Sequence, residues 1–185
     1  MIDSDPELPD YMTPLYFAVS DGNFLEAKRL LAAGHMIESQ PVDDGHSLLH
    51  VACENENAET VRFLLSQGGQ RYLNSFDYVS CTPLMWAARK GHVEIANLLL
   101  DAGADINANH EERIGNTAIR EAVREGKLEM VELLLQRGAD PKVPGWMQID
   151  AIMEARDQFD ADPGSEIRRK IYEILSSHTG QDLQQ

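Results

Sequence analysis

This sequence predicts an all-α chain built from short helix pairs stacked in a row. Two recurrences predict it. A six-residue signature appears as Thr13-Pro14-Leu15-Tyr16-Phe17-Ala18, Ser47-Leu48-Leu49-His50-Val51-Ala52, Thr82-Pro83-Leu84-Met85-Trp86-Ala87 and Thr117-Ala118-Ile119-Arg120-Glu121-Ala122, with starts 34, 35 and 35 residues apart. Each signature is followed by a second apolar stretch ending in Leu30-Leu31, Leu64-Leu65, Leu98-Leu99-Leu100 or Leu133-Leu134-Leu135. A fixed period of this size means supersecondary units that share apolar faces with their neighbours, not one closed core. At 185 residues and 43% apolar content, the chain is long enough and apolar enough to bury such a core.

The third unit shows the local physics most completely. Thr82 is an N-cap whose hydroxyl accepts from an orphan amide of the first turn. Pro83 follows at the first helical position, where a missing N–H removes no hydrogen bond. Leu84, Ala87 and Ala88 share one face, and the small alanines allow a neighbouring helix to come close. Gly91 breaks the first helix and His92 opens the connection. Val93, Ile95, Ala96, Leu98, Leu99 and Leu100 make a second helix that is apolar over a wide arc. Gly103 ends it as a left-handed C-cap, and Ala104-Asp105-Ile106-Asn107 leads out in an extended turn. A last, divergent unit begins near Asp150, with Ile152 and Ala155 in the expected places. Its second helix starts late, near Ser165, after the insertion Phe159-Asp160-Ala161-Asp162-Pro163-Gly164. Polar Arg168, Arg169, Lys170 and Glu173 suit a terminal helix that faces water.

Residues 82–107, TPLMWAARKGHVEIANLLLDAGADIN, resemble an ankyrin repeat at nearly every signature position, and residues 117–140, TAIREAVREGKLEMVELLLQRGAD, are almost as similar. Residues 13–34 and 47–69 fit more loosely. The second unit departs most, with Glu56 where the inter-helix glycine is usual and Gly68-Gly69-Gln70 in place of Gly-Ala-Asp. The resemblance covers about residues 11–177. It implies an ankyrin-repeat solenoid: helix-turn-helix pairs in an L-shaped stack, hairpin-like fingers projecting from one side, and minimal sheet. Residues 1–10, an acidic segment, and 178–185 are expected to be mobile tails. His50 and His92 occupy positions where ankyrin repeats carry a structural histidine that hydrogen-bonds nearby turns.

The same resemblance implies recognition of a protein partner by the concave surface of finger tips and first-helix edges. Carried onto this sequence, the surface is expected to offer Asp43, Asp44, His46, Glu54 and Asn55 from the second unit. The third offers Tyr78, Val79 and Cys81, then Arg89 and Lys90; the fourth offers Arg113, Ile114 and Asn116, then Arg124 and Glu125. Ser20 and Asp21 extend it at one end, Asp157 and Gln158 at the other. Along this strip acids come first and bases follow, which would suit a partner with a basic and an acidic patch. The segment Arg71-Tyr72-Leu73-Asn74-Ser75-Phe76-Asp77-Tyr78 puts three aromatics where a polar connection is expected. They either cover the helix ends or supply contact energy to a partner, with Tyr78 the one placed for contact. Trp86, one residue before the paired alanines, reads as core.

Chemistry is hard to find. The sequence has no Gly-rich phosphate loop, no His-Glu-x-x-His, no Gly-x-Ser-x-Gly and no Cys-x-x-Cys. His46 and His110 read as exposed finger residues. No histidine spacing supports a tetrahedral metal site, so neither catalytic residues, cofactor nor metal is expected. Cys53 falls in an apolar helical pattern, whereas Cys81 falls in a turn and reads as the more reactive thiol.

The net charge is −15 from 16 Lys and Arg against 31 Asp and Glu. Residues 1–46 alone hold nine acids and two bases. Such a field repels phosphate backbones and anionic lipid, which argues against nucleic acid and membrane partners, and it speeds encounter with a basic protein. No stretch approaches the roughly 20 apolar residues of a membrane span, and the acidic start lacks the apolar region of a secretory signal. The expectation is a cytoplasmic, non-enzymatic protein, monomeric alone, that binds a partner, with an inhibitor of immunity or regulatory type for a basic target as its sharper form. The alternative is a scaffold or chaperone-like protein that stabilises a complex without inhibiting it.

Overall fold

The computed structural model describes residues 13–35, 37, 45–110 and 115–178. Among these residues ten α-helices form five pairs: α1 Pro14–Ser20 with α2 Phe24–Ala32, α3 Leu48–Glu54 with α4 Ala58–Ser66, α5 Pro83–Lys90 with α6 Val93–Asp101, α7 Ala118–Arg124 with α8 Leu128–Gln136, and α9 Ala151–Ala161 with α10 Glu166–His178. No strand occurs among the described residues, and no helix among them is long and apolar enough to cross a membrane.

Each first helix starts where its cap dictates. The Thr13 hydroxyl accepts the Tyr16 amide at 3.2 Å, Thr82 accepts that of Met85 at 3.3 Å, and Thr117 accepts that of Arg120 at 3.3 Å. Asp150 does the same for the last pair, one carboxylate oxygen accepting the amides of Ile152 and Met153 at 2.9 and 2.8 Å. These caps satisfy orphan donors of helices too short to persist in water by themselves.

What holds the short helices is stacking. The odd-numbered helices pack successively on one another, the even-numbered helices form a second row, and each pair closes across the rows. The repeat register places Leu15, Leu49, Leu84, Ile119 and Ile152 in the seam of the first row, all buried. Three residues on, Ala18, Ala52, Ala87, Ala122 and Ala155 are also buried, and their small side chains set the close spacing of that row. In α10, Ile171 and Leu175 turn inward while Arg169, Lys170 and Glu173 stay exposed. The segment after α4 answers the question its aromatics pose. It forms a 3-10 turn over Gly69–Tyr72, then buries Leu73 and half-buries Tyr72 and Phe76, the Phe76 ring meeting that of His110 edge-on at 4.9 Å. Tyr78 alone of the three aromatics is 58% exposed.

Glu56 and Gly45 show the steric demands of the turns. Between the helices of a pair the chain turns through the left-handed region, at Gly22, Gly91 and Gly126 with φ of 67°, 83° and 65°, but in the second unit Glu56 takes φ of 64°. At Gly45, φ is 76° and an added Cβ would sit 2.1 Å from the Phe76 carbonyl oxygen. A left-handed non-glycine residue costs about 1–2 kcal/mol, and part of that gain is offset by the greater unfolded-state freedom of glycine. Glu56→Gly is therefore expected to raise stability by about 0.5–1 kcal/mol in a urea titration. Gly45→Ala, which meets fixed backbone, is expected to lower it by about 2 kcal/mol or more in the same measurement.

Candidate functional site

The side expected to meet a partner is built around the finger that precedes α5. Asp77 is 1% exposed. One of its carboxylate oxygens accepts the amides of Val79 at 3.0 Å and Cys81 at 2.9 Å; the other accepts the Trp86 indole N–H at 2.7 Å and lies 3.3 Å from His46 Nδ1. Burial opposes its ionisation, but the hydrogen bonds from His46, the Cys81 amide and Trp86 outweigh it and hold the carboxyl below its ordinary value. The turn is thus closed from inside, and it raises Tyr78 and Val79 to its tip, 58% and 41% exposed.

His50 ties this finger to α3. Its Nδ1 accepts the Ser47 amide at 3.0 Å, which assigns the proton to Nε2, and Nε2 stands 3.1 Å from both the Ser75 and Cys81 carbonyls. The same register position carries Met85 in the third unit, whose sulfur accepts the Thr82 amide at 3.4 Å. In the fourth it carries Arg120, which reaches Glu154 on α9 at 3.1 Å and also bonds Asn116. His92 stands with its Nε2 2.9 Å from Glu56 of the preceding unit.

A polar seam continues from the finger along the stack. Arg89 lies over Trp86, 4.6 Å from the ring centroid, and donates to Glu121 on α7 at 2.9 Å and to the Cys81 sulfur at 3.2 Å. Glu121, 1% exposed, also accepts from Arg124 at 2.6 Å and from Asn116 at 2.6 Å. Gln158 of α9 closes the far end by donating to the Arg124 carbonyl at 3.1 Å. At the near end Asn55 donates to the Ser20 carbonyl at 2.9 Å.

Several expectations change here. His46 is not an exposed finger residue: its side chain is 10% exposed, it faces Asp77 and, at 3.7 Å, Glu54, and its ring stacks on His50 at 5.4 Å. Cys81, although in a turn, is 2% exposed. Desolvation pushes its thiol up to about 12, against the partial opposition of Arg89, so it is not the reactive thiol its turn position suggested. Of the strip's expected bases, Arg89 and Arg124 point at carboxylates of this chain, as does Arg120 beside them. Asn55 and Asn116 serve the stack as well. Of the remaining expected contacts, Glu54 is partly exposed and Lys90 and Glu125 are exposed. Asp43, Asp44, Arg113 and Ile114 lie outside the described residues. The residue that sequence reasoning missed is Glu121. It stands at the register position of Phe17, Val51 and Trp86, and a carboxylate among otherwise apolar residues was the available signal.

The cleft between Asn107, Asn109 and His110 on one side and Pro144, Gly145 and Gln148 on the other has about 580 Å³ and a polar lining. Among the described residues no group of three or more His, Cys, Asp or Glu side chains is placed to hold a metal ion.

Comparison with known proteins agrees with this architecture. A family model described as "Ankyrin repeats (3 copies)" matches residues 2–77 and 71–144. The protein named "Palmitoyltransferase ZDHHC13" from Mus musculus is 38% identical over 76 residues, which is 41% of this chain and 12% of that protein. Its Homo sapiens counterpart is 37% identical over 76 residues with the same coverage.

Two outcomes follow from the buried groups. Cys53 and Cys81 are both buried, so a thiol reagent such as DTNB at pH 8 is expected to leave them unlabelled in the folded protein and to titrate both after addition of denaturant. Burial holds His50 at about 4, against 6.5 ordinarily, with Asp77 pulling the other way. The unfolded chain therefore takes up this proton first. The stability it contributes is complete above pH 6.5, falls by about 3 kcal/mol as pH drops to about 4, and is flat below. Urea midpoints measured across that window are expected to fall with acid, and His50→Gln is expected to flatten the slope.

Proposed function

The chain belongs to the ankyrin-repeat family, whose members serve as protein–protein interaction modules, and on that premise we propose that it binds a basic partner protein through the finger tips and first-helix edges of its concave side. The observation that carries this reading is the pair Tyr78 and Val79, held out at 58% and 41% exposure by a turn whose own polar groups are satisfied internally. A large aromatic on a rigid support loses little conformational freedom on binding, which is what makes such residues hot spots. The charge of −15 supports a cationic partner. So does the seam: among the described residues Arg89, Arg120 and Arg124 are paired internally, while Glu54 and Glu125 remain partly accessible. The transferase activity in the relatives' name belongs to proteins of which the aligned stretch is 12%, so it carries no weight in this reading.

Within this reading the protein acts as an inhibitor or regulator, occupying its partner's basic surface. A monomer in the cytoplasm is the state the proposal assumes. Co-purification from the native host with mass spectrometry tests it. A single stoichiometric basic partner is expected, retained at low salt, depleted when ionic strength is raised to about 0.5 M, and lost with Tyr78→Ala. Recovery of abundant chaperones alone, or indifference to Tyr78→Ala, would sink the proposal. Assaying the partner's own activity with and without the chain separates inhibition from scaffolding, since a scaffold leaves that activity intact.

A further inference from the structure

The fingers ahead of α5 and α9 close with the same pair of backbone hydrogen bonds. In the first, the Asp77 amide donates to the Cys81 carbonyl at 3.0 Å and the Ser80 amide to the Asp77 carbonyl at 2.9 Å. In the second, the Gly145 amide donates to the Ile149 carbonyl at 2.9 Å and the Gln148 amide to the Gly145 carbonyl at 3.1 Å. Ser80 and Gln148, each two residues before its helix cap, share a φ of 60°. Val79 and Met147 therefore occupy one structural position, three residues before Thr82 and Asp150, and both are large apolar residues turned outward, 41% and 67% exposed. Met147 itself takes φ of 60°, a conformation disfavoured for a side chain of its size. Nothing in the stack needs an apolar residue at either tip.

The spacing of the two tips selects a ligand shape. They are two units apart, and packed helix layers are separated by about 8–10 Å, so the tips are about 16–20 Å apart along the stack. An α-helix advances about 10.5 Å per heptad, hence about 21 Å in two, and keeps heptad-spaced side chains on one face with little angular drift. An extended segment spans the same distance, but the described residues offer no strand edge to take its backbone hydrogen bonds. The charge of −15 asks for cationic flanks.

We propose that Val79 and Met147 form a rail for a cationic amphipathic α-helix of the partner, laid along the stack with apolar side chains two heptads apart on the two tips and Tyr78 flanking the first. This rests on the reading of the finger tips given above and specifies what they grip.

The test uses the full chain and two synthetic peptides of about 22 residues, both rich in Lys and Ala. One carries leucines at heptad spacing; the other has the same composition with its leucines spread around the helix. Fluorescence anisotropy of the labelled peptides is expected to show the heptad peptide binding about tenfold more tightly. Val79→Ser is expected to erase that preference without moving the melting temperature, and Met147→Asn, which suits the left-handed backbone better, to erase it without lowering that temperature. Equal binding of the two peptides, or a preference untouched by the substitutions, overturns the helix rail and leaves charge alone. If this happens while the native partner is still lost with Tyr78→Ala, the helix is wrong and the finger-tip interface stands; if Tyr78→Ala leaves native capture unchanged, the interface reading itself has failed.

Discussion

A carboxylate enclosed in a hairpin turn must find donors for both oxygens or be protonated or expelled. Asp77 finds two turn amides, an indole N–H and an imidazole. Those donors come from three places: the finger itself, α5 through Trp86, and the preceding unit through His46. Satisfying one buried charge therefore locks the finger's shape, its angle to the helix behind it and its register on the neighbouring unit. The position of Tyr78 and Val79 depends on this group, and so does the orientation of Trp86, on whose face Arg89 rests.

From Arg89 onward the first-helix row is linked by charge as well as by apolar contact. Glu121 draws Arg89 from one unit and Arg124 and Asn116 from its own, and Arg120 carries the connection to Glu154. Buried ion pairs contribute little net stability once desolvation is counted, and the apolar seam at Leu49, Leu84 and Ile119 supplies the cohesion. The pairs change the surface instead. They fix the directions of the guanidinium groups, each of which faces a carboxylate of this chain.

The repeat architecture was legible because it is local. Thr82, Pro83 and Gly91 act on their own helix, and a period in leucines and alanines needs no knowledge of what lies opposite. The fate of individual polar residues was not legible, for a physical reason. Arg89 and Glu121 are 32 residues apart, and their meeting depends on which edges of α5 and α7 face each other. Cys81 reads as exposed because turns usually are, yet this turn lies under Arg89 and against α3 through His50. The aromatic segment after α4 held two readings at once, and the structure divides it: Tyr72 and Phe76 are half-buried, while Tyr78 stays largely exposed beside the His46 ring.

Because the units touch chiefly their neighbours, force applied to the ends travels through one interface after another, with no cross-brace to share it. Such a molecule is a short spring whose stiffness is set by its weakest joint. The joint between the second and third units has the imidazole clasp of His50 on two carbonyls, whereas at the next joint the equivalent side chain is Met85, which donates nothing. Resistance to bending is therefore supplied differently at successive joints, by an imidazole clasp between the second and third units and by the Arg89–Glu121 bridge beside a thioether at the next.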